Sequence, residues 1–495
     1  MRGVARISLN EVIETVLDPD SFEPWDAPPT QPDYGPAYAA QLARATQCSS
    51  ADEAVVTGRA VLGGYRVAVI VGDFDFLAGS LGAAASERIT LAFERATAEG
   101  LPVLASPMSG GTRMQEGTPA FLHMIKISQA VLAHRAAGLP YLVYLRDPTT
   151  GGALASWGSL GHLTIAQPGA LVGLLGPRVR EIMLGEPLPE GVQQSESLAR
   201  KGVIDGVVPL GELRTTAVKA LRVLTSPQEP VGERFVDATI ATDRAPWDSV
   251  QATRNPDRPR LHHLLQHAAE VFIPLRGTGT GESDGTITVG LARFPGLSCV
   301  LIGQDRRPRR DASLSPAALR VAQRGFHLAE ELDLPLVTVI DSPGPELTTE
   351  AEHGGLAGEI ARTVAALATV RVPVVSTILG EGNGVAALAL LPADRTVCAE
   401  NGWVAPLPPE GASAIIHRTA DRAADMAAAH RIRAVDLLEA GAVDEIVPER
   451  PDAAEEPAAF CRRLIASATA HLAELMAMRT EERLRIRHDR YRSMR

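Results

Sequence analysis

The stretch GLPVLASPMSGGTRMQEG (100–117) decides the fold, because a counterpart returns as DLPLVTVIDSPGPELTTEAE (333–352). In each, a short apolar run after a proline reads as a buried strand, and a polar or Gly-rich loop follows. An Ala-rich helix, a second proline-led strand and a second Gly-rich loop come next. These are GLPYLVYLRDPTTGGALAS (138–156) in the first series and VRVPVVSTILGEGNGVAAL (371–388) in the second. Each series closes on a strand-like exit, GVIDGVVP (202–209) and GAVDEIVP (441–448). Pro102 and Pro335 stand 233 residues apart, as do Pro140 and Pro373, and Asp205 and Asp444 stand 239 apart. An offset held this long marks a duplicated fold unit. Two copies with different loops imply two related sites that hold different groups.

Working outward, AVVTGRAVLGGYRVAVIVGDFDF (54–76) reads as a hairpin around Gly63-Gly64, and TITVGLARFPGLSCVLIG (286–303) is its partner in the second copy. Helices are predicted over 83–99 and about 118–137, and a short one in 6–20 that stops before Pro19. Short strands alternating with Ala-rich helices predict an α/β fold built from crossover units. Residues 19–37 read as a surface arm. Residues 210–262 read as the connection between copies, which sets the domains at 1–235 and 236–495. The basic run 476–495 is predicted as a helix that is solvated or packed on a partner chain.

Composition narrows the function. Aromatic residues are only 4%, so the core must be built from Ala, Val and Leu. A net charge of -11 argues against nucleic-acid binding, which needs a basic face. The four cysteines, Cys48, Cys299, Cys398 and Cys461, have no CxxC spacing, so no metal site is written in them. Neither an 18-residue apolar run nor a signal peptide is evident, and a cytoplasmic protein without membrane contact is expected.

The chemistry sits in the loops. In Asp147-Pro148-Thr149-Thr150-Gly151-Gly152-Ala153 a strand ends, a turn follows and two glycines open a helix. Glycine lets backbone N–H groups approach a ligand, and the first N–H groups of a helix have no internal partner. Aimed at one oxygen, they form an anion hole. Gly380-Glu381-Gly382-Asn383-Gly384-Val385 occupies the matching place in the second copy. Ser109-Gly110-Gly111-Thr112-Arg113 lacks the GKS or GKT of a phosphate-binding loop, and no GxGxxG or G-x-S-x-G motif is present. His123, His134 and His162 are expected to be structural.

These residues resemble the carboxyltransferase component of biotin-dependent acyl-CoA carboxylases, in the crotonase-like superfamily. The likeness is strongest to the acetyl-CoA carboxylase type, with beta-like and alpha-like subunits fused. RISLNEVIETVLDPDSFEPWD (6–26), SGGTRMQEG (109–117) and DPTTGGALAS (147–156) are similar to beta-subunit motifs. NPDRPR (255–260), IDSPGPELTTEAEHGG (340–355), ILGEGNGVAALAL (378–390) and PPEGASAI (408–415) fall in alpha-subunit order.

The resemblance implies two tandem crotonase-like (ClpP/crotonase) ββα-spiral domains, the first on the acyl-CoA side and the second on the biotin side. It implies transfer of a carboxyl group from carboxybiotin to the α carbon of a short acyl-CoA, acetyl-CoA giving malonyl-CoA. Gly151 and Gly152 would hold the thioester oxygen, and Gly384 and Val385 the biotin ureido oxygen. Ser109, Gly110, Gly111 and Arg113 would bind substrate, with Arg113 and the basic loop QDRRPRRD (304–311) facing the CoA phosphates. No Met-Lys-Met biotinylation site or ATP-grasp loop is evident. A separate biotin carboxyl carrier protein and a biotin carboxylase are therefore implied as partners, with no covalently bound cofactor and a homo-oligomer of at least a dimer. Two rival readings use the same residues: a malonyl-CoA or malonate decarboxylase, and a non-catalytic subunit of a carboxylase complex.

Overall fold

Short, mostly apolar runs build one sheet in each copy of the duplicated unit. The computed structural model describes residues 5–494 apart from 31–32, 50, 187, 190, 230–233, 236–239, 242 and 307–312. Two compact units result, Met1–Thr225 with Gly279–Gly281, and Ser226–Thr278 with Glu282–Arg495. The division falls at Thr225/Ser226, upstream of the 235/236 boundary read from the sequence.

In the first unit the sheet runs Glu23–Pro24, Val55–Leu62, Tyr65–Gly72, Val103–Ser106, Tyr141–Leu145, Leu163–Ala166, Gly206–Val207 in spatial order. The first three strands pair antiparallel and the rest parallel. Parallel neighbours need crossovers, which the helices Ala83–Ala98 and Gly117–Ala136 supply. The second unit repeats the order with Val271–Leu275, Ile287–Phe294, Leu297–Gln304, Leu336–Ser342, Val374–Asn383, Arg395–Ala399 and Glu445–Val447. Again two antiparallel pairings precede the parallel ones. The cores are mostly aliphatic, as the low aromatic content requires, with Phe76, Phe93, Tyr141 and Trp157 the aromatic members of the first unit's cluster.

The duplication reaches single hydrogen bonds. Ala68 N–H donates to Pro102 O at 2.8 Å, and Val300 N–H to Pro335 O at 3.0 Å. Asp205 accepts from Thr164 N–H and Asp444 from Thr396 N–H, so both exit aspartates tie the closing segment to its neighbour strand.

Two stretches differ from the sequence reading. Part of 210–262 is not a connection: Leu210–Thr225 is a helix in the first unit, burying Leu213, Ala217, Ala220 and Leu221 on one face. Their three- and four-residue spacing is the helical signal. The basic C-terminal run is solvated on one face and packed on its own unit by the other. Its helix, Thr480–Arg492, buries Arg483 and Arg487 against its own unit. The arm 19–37 is at the surface as read, and its exposed Glu23–Pro24 adds an edge strand to the sheet.

Candidate active site

The first Gly-rich turn is fixed by its neighbours. Thr149–Thr150 pairs in parallel with Val172–Gly173, and the helix Gly151–Leu154 starts at once. Gly151 has φ +61°, and a Cβ there would stand 3.1 Å from the Cα of Gly111, so only glycine is free of strain. A Cβ on Gly152 would meet Met124 Sδ at 3.1 Å. Both glycines are half-exposed. Gly152 is the second residue of its helix, where an N–H has no acceptor four residues back. It donates in none of the described hydrogen bonds.

The Ser109–Gly111 loop is drawn against this turn. Ser109 O accepts from Thr150 N–H at 2.9 Å, and Ser109 N–H donates to Pro148 O at 2.8 Å. Ser109 Oγ donates to Gly79 O at 2.6 Å and accepts from Gly111 N–H at 3.0 Å. Ser109 is therefore buried, and it shapes the loop from within. Gly110 is exposed and donates to Ala78 O.

The second unit reproduces this with an offset of 233 residues. Gly384 has φ +59° and opens the helix Gly384–Leu388. Ser342 Oγ accepts from Gly344 N–H at 3.2 Å, as Ser109 does from Gly111. Leu81 N–H donates to Gly111 O, and Leu314 N–H to Gly344 O. Val385 stands where the first unit has Gly152 and is 41% exposed. At the same offset Met124, which a Cβ on Gly152 would meet, corresponds to Ala357. The Val385 N–H is likewise a donor in none of the described hydrogen bonds. Pro345 replaces Thr112, so that loop position offers no N–H.

Behind the second turn lies a buried ionic group that the sequence reading missed. Arg306 pairs with Asp341 at 3.2 Å and with Glu381 at 2.7 Å, and Arg254 reaches Glu381 at 3.2 Å. Asp341 accepts from Glu381 N–H, and Glu381 from Asn383 Nδ2, which fixes the strand end before Gly384. The only signal was an excess of charge in a strand otherwise apolar. The rest of the basic loop, 307–311, lies outside the described residues.

Arg113 corrects an expectation. It is fully buried, with its guanidinium on Glu53, Glu116, Tyr38 and Ser80, and so faces no solvent where a CoA phosphate could approach. Burial works against its charge, but Glu53 outweighs that and raises its pKa. His134 and His162 are buried in the first unit: His162 Nδ1 accepts from Tyr141 N–H, and burial pushes His134 down to about 4. A cavity of about 620 Å³ in the first unit lies between the arm at Trp25 and the helix Ala83–Ala98. Its lining includes none of the four hole residues, so its size does not bear on the turn chemistry.

Two ββα units, each ending a parallel strand in a glycine turn whose second amide donates in none of the described hydrogen bonds, define a crotonase-like fold. A family profile described as "Carboxyl transferase domain" matches residues 6–486. The chain is 53% identical over 490 residues to the "Probable biotin-dependent acyl-coenzyme A carboxylase beta3 subunit" of Mycobacterium tuberculosis, covering 99% of each. It is 35% identical over 513 residues to the "Acetyl-coenzyme A carboxylase carboxyl transferase subunits beta/alpha" of Salinispora arenicola, covering 99% of this chain and 90% of that one. The transcarboxylase 12S core, solved with methylmalonyl-coenzyme A and methylmalonic acid bound, shares the fold with a TM-score of 0.76. It is 21% identical over 96% of this chain and 91% of that chain. The chain belongs to the carboxyl transferase family, as an enzyme of the biotin-dependent acyl-CoA carboxylase type.

Proposed function

We propose that the chain transfers a carboxyl group from carboxybiotin, borne on a separate carrier protein, to the α carbon of a short acyl-CoA, with acetyl-CoA giving malonyl-CoA. Movement of a carboxyl group between carboxybiotin and an acyl-CoA is the reaction of this class. What carries the reading is the pair of glycine turns at Gly151 and Gly384, with matching positive φ and matching loop hydrogen bonds.

Carboxybiotin supplies the carboxyl group and, once that group has left, a ureido nitrogen able to take the α proton. The chain's part is electrostatic. Amides at Gly151–Gly152 hold the thioester oxygen as it gains enolate charge, and amides at Gly384–Val385 hold the ureido oxygen. The donors at the second turn survive the valine, because a backbone N–H does not depend on the side chain. No protein acid or base is required, which fits turns without a titratable dyad. Losing one donor of this kind costs about 3–4 kcal/mol of transition-state stabilisation.

The partners are a biotin carboxyl carrier protein, its biotin carboxylase and further copies of this chain. Four unpaired cysteines fit a reducing cytoplasm; no helix among the described residues is long and apolar enough to cross a membrane. The test runs the reaction backwards, with malonyl-CoA and free biotin given to the purified oligomer, followed by acetyl-, propionyl- and long-chain acyl-CoA in the forward direction with the cognate carrier. Carboxylated biotin is expected. Loss of CO2 from malonyl-CoA with no need of biotin would replace this reading by a decarboxylase.

A further inference from the structure

Arg113 has no counterpart in the second unit, where Glu346 holds the matching position. Its partners come from three segments distant in sequence, at Tyr38, Glu53 and Phe76–Ser80, and from Glu116 three residues on. Its Nη1 donates to Glu53 Oε2 at 3.2 Å, to Glu116 Oε1 at 3.3 Å and to Tyr38 Oη at 3.3 Å. Its Nη2 pairs with Glu53 Oε1 and donates to Ser80 O at 2.8 Å, and its Nε reaches Ser80 Oγ at 3.4 Å. The Phe76 ring lies 5.4 Å from the guanidinium carbon. Glu116 closes the cluster from below: it accepts from Tyr38 Oη at 2.5 Å and from Ala83 N–H at 2.7 Å, capping a helix whose Gly82 start has no side chain to do so.

The cluster bears on the site through one short path. Arg113 N–H donates to Leu81 O, and Leu81 N–H donates to Gly111 O. Gly111 lies against Gly151, whose absent Cβ would be 3.1 Å from the Gly111 Cα. We propose that Arg113 is a positioning residue, whose buried cluster with Glu53, Glu116 and Tyr38 fixes the Gly111 segment against the Gly151–Gly152 turn and so aims the first anion hole. A guanidinium suits this task because its rigid planar fork reaches several acceptors at once. A lysine keeps the charge and loses the fork. The second unit needs no such clamp on this flank: there the ionic group of Arg306, Asp341 and Glu381 holds the strand end instead.

The inference rests on the carboxyl-transfer reading, and the experiment separates the two. The full oligomer is assayed for transfer from malonyl-CoA to free biotin, with unfolding midpoints measured alongside, for wild type, Arg113→Lys and the charge-neutral pair E53Q/R113M. Arg113→Lys is expected to lower kcat ten- to hundredfold, with KM for malonyl-CoA and for biotin within about twofold of wild type, because the hole is misaimed while binding elsewhere survives. The neutral pair keeps the cluster's net charge and leaves Glu116 its donors Tyr38 Oη and Ala83 N–H, so it is expected to melt close to wild type without wild-type kcat. Recovery of stability and turnover together would reduce the cluster to a structural role and overturn the proposal. So would a wild-type kcat in Arg113→Lys, or a rise in KM for malonyl-CoA alone, which would mean direct contact with the CoA. If the pair does not fold, the kcat-against-KM split of Arg113→Lys decides. A wild-type oligomer that carboxylates no biotin overturns the function itself.

Discussion

Glu449 and Arg258 are both buried, and each supplies the other's closest counter-charge. Two guanidinium nitrogens of Arg258 donate to the two carboxylate oxygens of Glu449, each at 2.7 Å. Asn401 adds two further donors, its N–H at 3.0 Å and Nδ2 at 2.8 Å. Burial alone would raise the carboxyl, but Arg258 and Asn401 bring it down to about 2. The sign of the pH effect follows. A carboxyl depressed from 4.5 in the fold contributes stability that is complete above 4.5 and lost as pH falls towards 2. Glu449→Gln leaves Arg258 buried without its counter-charge, at a cost of about 3–5 kcal/mol. Urea unfolding of wild type and variant at pH 7 and pH 3 checks this: the gap between the two curves should narrow at the lower pH. An unchanged gap would mean the pair is not what titrates.

At the scale of elements, the C-terminal helix Thr480–Arg492 is a clamp on the second unit's strand ends. Arg487 donates through Nε and Nη2 to Asp394 at 2.8 Å and 2.6 Å, and also to the carbonyls of Val370 and Val372. Asp394 in turn accepts from Val374 N–H, at the start of the strand that leads to Gly384. Arg487→Met is predicted to leave Asp394 only the longer ionic contact with Arg483 at 3.7 Å and to cost about 3 kcal/mol. Limited proteolysis and thermal melts should show the second unit weakened and the first unit intact; a loss under about 1 kcal/mol would remove the clamp from the argument. This contact was not legible in the sequence. The arginines of 476–495 follow no apolar stripe, and the acceptors that bury Arg487 come from residues about a hundred positions upstream. By contrast, YLVYL (141–145) was legible to the residue, because its apolar run is bounded by a proline and a charged turn. Arg113 failed for the same reason as Arg487: Glu53 and Tyr38 adjoin it only after folding, so a loop arginine looked like a phosphate ligand.

The molecule as a whole is one unit used twice, and the strength of the duplication is that each copy is a control for the other. Gly151 and Gly384 share their backbone conformation, and the neighbours a Cβ would meet are comparably close, Gly111 Cα at 3.1 Å and Pro406 O at 3.3 Å. Alanine at either place should therefore disturb its turn to a similar degree, so a difference in kinetics would report what each turn holds rather than how badly each folds. In the malonyl-CoA-to-biotin assay, Gly151→Ala is expected to lower kcat about 10²–10³-fold with KM for biotin within about twofold, because the enolate is what loses its donors. Gly384→Ala is expected to act through biotin, raising its KM or lowering kcat while KM for malonyl-CoA stays as in wild type. Half of this was legible in the fixed 233-residue offset, which placed the two turns in register. The assignment of one turn to each substrate came from the family resemblance, whereas Pro345 for Thr112 and Val385 for Gly152 acquire their place only when the loops lie against the turns. If the two alanine variants show the same kinetic pattern, the turns do not hold different groups, and the assignment of one copy to each substrate falls.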